Sequence, residues 1–185
     1  MIRAALLSVL MAGAAHAQDR PTLTPMRDVD VTYRMTQGGQ TLEQRTRWQA
    51  ADRRMRVDTP TPGVYMIVDY AARRMSMVSD ADRGVVEVQA SAGAIPGQME
   101  GQSGANFVRQ GSGQVASLPC TEWRTLDSQG AATLVCITAD GVLLRAQQAG
   151  RVLVEAARVA YGTQDPAAFR VPDGYTRAVP PGPPR

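Results

Sequence analysis

Apolar and polar residues alternate one for one through "DVDVTYRM" (28–35). Val29, Val31, Tyr33 and Met35 fall on one face, and Asp28, Asp30, Thr32 and Arg34 on the other. Side chains of a strand point to opposite faces with period two, so this stretch predicts a half-buried strand. The pattern recurs. "TLEQRTRWQ" (41–49) separates Glu43, Arg45 and Arg47 from Leu42, Thr46 and Trp48, and "RMRVD" (54–58) puts Met55 and Val57 together. "VYMIVDY" (64–70) is apolar on both faces and reads as a central strand. "RRMSMV" (73–78) and "GVVEVQ" (84–89) follow, then strands at 119–126, 133–138, 142–148 and 151–161.

Turn chemistry punctuates these strands at "QGGQ" (37–40), near Ala51-Asp52, at "TPTPG" (59–63) and at "SDADRG" (79–84). Ser91–Gly113, rich in Gly, Ala, Gln and Ser, reads as a loop carrying at most a helical turn. A short helix or turn is expected at Pro166–Phe169, then a last extended piece. No segment shows a sustained helical period. The expectation is a mainly β protein, a single curved antiparallel sheet in one domain spanning 18–178, with a proline-rich disordered tail at 179–185.

The first residues, "MIRAALLSVLMAGAAHAQD", predict a cleavable signal peptide over 1–17. Arg3 precedes an apolar run from Ala4 to Ala15, and Ala15-His16-Ala17 is a small-x-small cleavage site. No cysteine stands at the predicted cut after Ala17, so no lipid anchor is expected, and no later apolar run is long enough to span a bilayer. A short leader and a basic set made only of arginine point to a GC-rich bacterium and a periplasmic location. Cleavage removes His16, the single histidine, and takes the formal charge from +3 to +2 with Arg3.

The cysteines, Cys120 and Cys136, flank "TEWRTLDSQGAATLV". A turn at Asp127–Gly130 sets Cys120 opposite Cys136, Glu122 opposite Leu134 and Arg124 opposite Ala132. Opposed positions suit a disulfide, and an oxidising compartment favours one. A bridge closing a loop of this length contributes about 3 kcal/mol. Period two then puts Trp123, Val135 and Ile137 on the face away from the bridge, with Trp123 in the core. A zinc site needs more ligands than two thiolates, and a redox pair is more often C-x-x-C.

The mature chain has neither histidine nor lysine, and both thiols are expected to be oxidised. The usual general bases and nucleophiles are therefore missing, and the chain reads as non-catalytic, with no cofactor and no metal. A carboxylate-based hydrolase is an alternative. Most acids, however, stand at turns (Asp52, Asp80, Asp82, Asp127, Asp140, Asp173) or on polar strand faces (Asp28, Asp30, Glu43). Met55, Met66, Met75 and Met77 lie in consecutive strands. Their flexible thioethers suit core filling, contact with an apolar ligand, or Cu(I). Arginines at 45, 47, 53, 54, 56, 73 and 74 suggest a basic stripe. Of these, Arg45, Arg47, Arg54 and Arg56 are the candidate surface for an acidic envelope partner or anionic headgroups, with a solvated face as the plain alternative. No aromatic set interleaves with them, which argues against nucleic acid.

"DVTYRM…RMRVD…VYMIVDYAARRMSMV" resembles the first half of a family of small exported bacterial β-proteins, domain of unknown function 4412. "LPCTEW…VCITADGVLLR" resembles a later hairpin of such proteins. "FRVPDGY" resembles the final strand of lipoprotein-carrier-like folds (the LolA and LolB type). The resemblance implies an incomplete barrel whose concave face is plugged by loop or helical segments, and carriers of this fold hold acyl chains there.

The leading expectation is a periplasmic module that binds a lipid or acyl chain in that hollow. Its lining would be Val31, Tyr33, Trp48, Met55, Val57, Met66, Val68, Met75 and Met77, under a mobile cover at Ser91–Gly113. The second is a protein-interaction module with a packed core, acting through its arginine face or an exposed strand edge.

Overall fold

A computed structural model of the chain describes residues 20–89, 106–127 and 129–178. The predicted leader (1–17), most of the predicted cover and the proline-rich tail lie outside those residues. Eleven strands run in chain order: β1 Val29–Gln37, β2 Gln40–Gln49, β3 Arg54–Asp58, β4 Val64–Asp69, β5 Arg74–Ser79, β6 Gly84–Gln89, β7 Val108–Val115, β8 Leu118–Leu126, β9 Ala132–Ile137, β10 Leu143–Gln148 and β11 Arg151–Tyr161. A short 3-10 helix, Pro166–Phe169, and the strand β12, Thr176–Ala178, complete the described chain.

All twelve strands form one sheet in the order β12-β6-β5-β4-β3-β2-β1-β11-β10-β9-β8-β7. Two meanders, β1–β6 and β7–β11, are thus joined edge to edge along β1 and β11, and the sheet is not closed into a barrel. The seam runs from Val29 opposite Tyr161 to Met35 opposite Val154, with a bulge between Thr32 and Tyr33. One departure from the expected antiparallel sheet is β12, which pairs with β6 in parallel. The chain reaches it by crossing the sheet after β11.

Tight turns set the registers. Gly38 and Gly39, with φ of 57° and 81°, close β1–β2 so that Gln37 faces Gln40. Both central residues of such a two-residue turn need positive φ, and its twist matches that of the strands. Ala116 and Ser117 take the same conformation, at 49° and 63°, and create the hairpin β7–β8. That hairpin corrects the loop expected up to Gly113. "VRQGSGQV" has weak strand character of its own, and the turn and the β8 ladder impose extension on it. Gly113 packs closely against the disulfide, where a Cβ would stand 3.2 Å from Cys136 Sγ and 3.2 Å from Glu122 Oε1.

The cysteine hairpin pairs two residues away from the expected register: Glu122 faces Cys136, Arg124 faces Leu134 and Leu126 faces Ala132. The cause is the Asp127 turn. Asp127 N–H donates to Ala131 O at 2.9 Å, while its carboxylate accepts from Gln129 N at 2.9 Å and Ala131 N at 2.8 Å. Extending the turn to Ala131 slides the strands by one pair. Cys120 and Cys136 then sit diagonally, Cα atoms 5.5 Å apart, and form the disulfide.

The core has three parts. The largest joins Val29, Val31, Trp48, Met55, Val57, Met66 and Val68 to Val115, Val142, Leu144 and the disulfide. The bridge therefore lies inside the main core. Trp123, Val135 and Ile137, on its other face as expected, bury themselves in a second cluster with Ala146, against Leu23, Phe107, Leu143 and Val154. In the third, Tyr65, Ile67, Val78 and Val85 pack against Val171 and Tyr175 of the C-terminal crossing. Strand β4 is thus covered on both faces, as its double apolar pattern predicts. The 3-10 helix, whose Phe169 is buried, packs on β3. The crossing covers the Tyr65/Ile67 face, opposite the face expected to carry a plug.

Val68 and Leu144 have no exposed surface. A flat open sheet would leave such a face to water. The sheet buries it by curling about β1 so that its own second half comes over the first.

Candidate functional site

The curl leaves a cavity of about 180 Å³. Its walls are Val29, Val31, Tyr33 and Met35 of β1, Gln44, Thr46 and Trp48 of β2, Met55 and Val57 of β3, and Val154 of β11. Gly141, Val142 and Leu143, the turn into β10, form the far wall. In a flat sheet β3 and β10 would lie roughly 19 Å apart, at about 4.8 Å per strand. That Met55 and Val142 face one cavity is the measure of the curl. The remaining wall is an N-terminal strap, Leu23-Thr24-Pro25, which runs over the sheet before β1 begins.

The strap is pinned at the β9–β10 turn. Met26 N–H donates to Asp140 O at 2.9 Å, and Arg27 donates to Asp140 Oδ2 from Nε at 3.0 Å and from Nη2 at 2.9 Å. Tyr161 Oη and Thr138 Oγ1 both donate to Asp140 Oδ1, at 3.0 and 2.6 Å. Burial alone would raise the Asp140 carboxyl, but these donors and the Arg27 charge outweigh it and hold the group below the ordinary carboxylate range. Arg27 also lies over the Tyr161 ring, 4.0 Å from its centre. Gly141, at φ 93°, is the contact itself: any Cβ there would collide with Thr24 O. Tyr33 ties the opposite wall by donating to Leu143 O at 2.8 Å, and burial pushes its phenol well above the usual range.

Of the nine lining residues expected, Val31, Tyr33, Trp48, Met55 and Val57 line this cavity. Met66 and Val68 are buried in the adjoining core, and Met75 packs against it half-buried. Met77 stands opposite Met66 in the β4–β5 ladder and so shares that face, but nearer the sheet edge it is 41% exposed and is not among the residues lining the cavity. The strap was missed because "LTP" has no period to read.

The four candidate partner arginines share the opposite face, as the alternation requires. Each is held within the chain. Arg45 pairs with Asp30, Arg47 with Asp58 at 2.8 Å, Arg54 with Asp69 at 3.0 Å, and Arg56 with Asp58 at 2.7 Å. Arg56 also lies 3.5 Å from the Tyr65 ring centre and donates to Ala168 O at 3.2 Å, under the C-terminal crossing. Desolvation raises Asp58, yet the two guanidiniums leave it net lowered, and Asp69 is lowered against its own desolvation by the Ala72 N–H and then by Arg54. On this face the four candidate arginines form an ion-pair ladder with Asp30, Asp58 and Asp69.

A second hollow, of about 210 Å³, lies on this face among Arg54, Asp69, Arg74, Glu87, Arg170 and Arg177 beside Phe169. Among the described residues, no cluster of three or more His, Cys, Asp or Glu could hold a metal, and no helix is long and apolar enough to cross a membrane.

An open, curled sheet with an apolar hollow is the architecture of lipoprotein-carrier-like folds. Solved structures share the fold. A crystal structure of an uncharacterized conserved protein from Thermus thermophilus is 14% identical and superposes with a TM-score of 0.60 over 83% of this chain and 91% of that one. The MucA/MucB complex of Pseudomonas aeruginosa matches at 14% identity and TM-score 0.51, over 75% of this chain and 53% of that one. PNGF-II matches at 11% and 0.51, with 83% of this chain spanning 31% of it. No family model and no curated protein matches the chain, so the domain of unknown function 4412 resemblance is not shown as membership.

Proposed function

We propose that the chain is an exported, non-catalytic module that holds an apolar ligand in the hollow of its curled sheet. The observation that carries this is the cavity of about 180 Å³ between β1–β3 and the strap. A dry cavity of roughly 150 Å³ takes a benzene ring, so this one has room for a ring or a short stretch of acyl chain. Export is supported by the leader pattern and by the Cys120–Cys136 disulfide, which belongs to an oxidising compartment.

Two measurements test the reading. The protein, purified gently from periplasm, is extracted with organic solvent and analysed by mass spectrometry against an unrelated periplasmic control; an enriched apolar species supports it. In the second, Trp48 emission is followed in a Trp123→Phe chain titrated with 1-bromooctane. Saturable heavy-atom quenching is expected. Quenching that stays linear and matches free indole would overturn the proposal.

A second reading is capture of a protein partner. It is favoured by β7, a sheet edge whose Val108 is 53% exposed and whose outer backbone groups could accept an added strand. The paired arginines give it little support.

A further inference from the structure

We infer that the cavity selects uncharged amphiphiles: a short apolar body ending in a neutral oxygen, a hydroxyl or carbonyl, in preference to a carboxylate, phosphate or ammonium. This rests on the reading of the cavity as a ligand site and goes further by naming the chemistry it accepts.

Among the described residues, none that lines the cavity carries a charge. The same strands carry Arg45, Arg47, Arg54 and Arg56, but alternation puts these on the opposite face, where Asp30, Asp58 and Asp69 hold them. An ionised head drawn into the hollow would lose its water and meet no counter-ion, and a buried unpaired charge is strongly disfavoured.

The hollow does contain neutral hydrogen-bonding groups, and they are graded along it. In the β1–β2 register, Val29 faces Trp48, Val31 faces Thr46 and Tyr33 faces Gln44. Val29, Trp48 and Met55 form a buried floor, apolar but for the Trp48 indole N–H, which has no hydrogen-bond partner among the described residues. Thr46 and then Gln44, both half-buried, lie further out, the last roughly 14 Å from Trp48 at about 3.4 Å per residue. Among the described residues, neither the Gln44 carboxamide nor the Thr46 hydroxyl makes a side-chain hydrogen bond within the chain. A carboxamide and a hydroxyl each donate and accept, which suits an alcohol, ester or amide head. The apolar end of the ligand therefore lies on Trp48 and its neutral head on Gln44.

The test uses the mature chain at pH 7, titrated calorimetrically with 1-octanol, octanoate and octylammonium. Octanol is expected to bind, with both ions at least tenfold weaker. Gln44→Arg, a change at a half-buried position, is expected to reverse the order of octanol and octanoate. If octanoate binds wild type as tightly as octanol, the selectivity is wrong while the ligand site stands. If none of the three binds, the ligand-site reading itself fails.

Discussion

Asp140 and Arg27, 113 residues apart in sequence, meet in a two-bonded ion pair that fastens the start of the fold to the turn between β9 and β10. The pair closes one wall of the cavity. Asp140→Asn keeps the shape but removes the charge. Trypsin cleavage after Arg27 should then be several-fold faster, and octanol should dissociate faster, with the rest of the fold intact. Unchanged cleavage would show that the backbone bond from Met26 holds the strap unaided.

The same carboxylate gives a pH dependence. Its folded pKa is depressed, so its stabilisation is fully present above the unfolded value near 3.8 and is lost as pH falls through the lower folded value. The Met26 amide should lose exchange protection below about pH 4 before the central strands do. Loss of protection already at pH 6 would contradict this assignment.

Met55 in β3 and Met77 in β5 flank β4 in the first meander but differ in cover, at 9% and 41% exposure. Met55→Ala should cost about 2–5 kcal/mol and weaken binding of an apolar probe. Met77→Ala should change stability by no more than about 0.5 kcal/mol and leave binding alone. Denaturant unfolding of both variants checks the contrast.

Arg53, Arg73 and Arg83 close three tight turns with φ of 51°, 50° and 46°. Left-handed backbone costs a non-glycine residue roughly 1–2 kcal/mol. Arg73 is exposed, so Arg73→Gly should raise the unfolding midpoint, by a gain of about 1 kcal/mol. A lowered midpoint would mean that the Arg73 side chain contributes more than its backbone loses.

Arg56 is sandwiched between Asp58, the Tyr65 ring and Ala168 O. Arg56→Glu should therefore unfold the C-terminal crossing, losing about 2 kcal/mol or more, because it sets a carboxylate beside Asp58. Arg45, half exposed, is the arginine at which charge reversal reports on a partner without that loss. A folded, stable Arg56→Glu chain would return this face to the list of free surfaces.

Strand positions were legible because each strand declares its faces locally: "RMRVD", "GVVEVQ" and 151–161 run as their alternation predicts. Strand β7 was not, since glutamine and glycine hold no strand preference and its extension comes from the Ala116-Ser117 turn. The cysteine pairing was legible as a fact, but its register depends on two hydrogen bonds to the Asp127 carboxylate. The β1–β11 seam leaves no local trace, because it joins segments more than a hundred residues apart. For the site, period two separates Val31, Trp48 and Met55 from the arginines. It cannot show that those arginines are neutralised, nor that Leu23–Pro25 returns to Gly141.

The seam also orders events in time. Every hairpin on either side of it can form from residues close in sequence. The join of β1 to β11 must wait until Arg151–Tyr161 is available, and it then closes the longest loop among the described strand pairings. Until that step the apolar faces of both meanders stay open, so the chain is most exposed to aggregation just before the hollow exists.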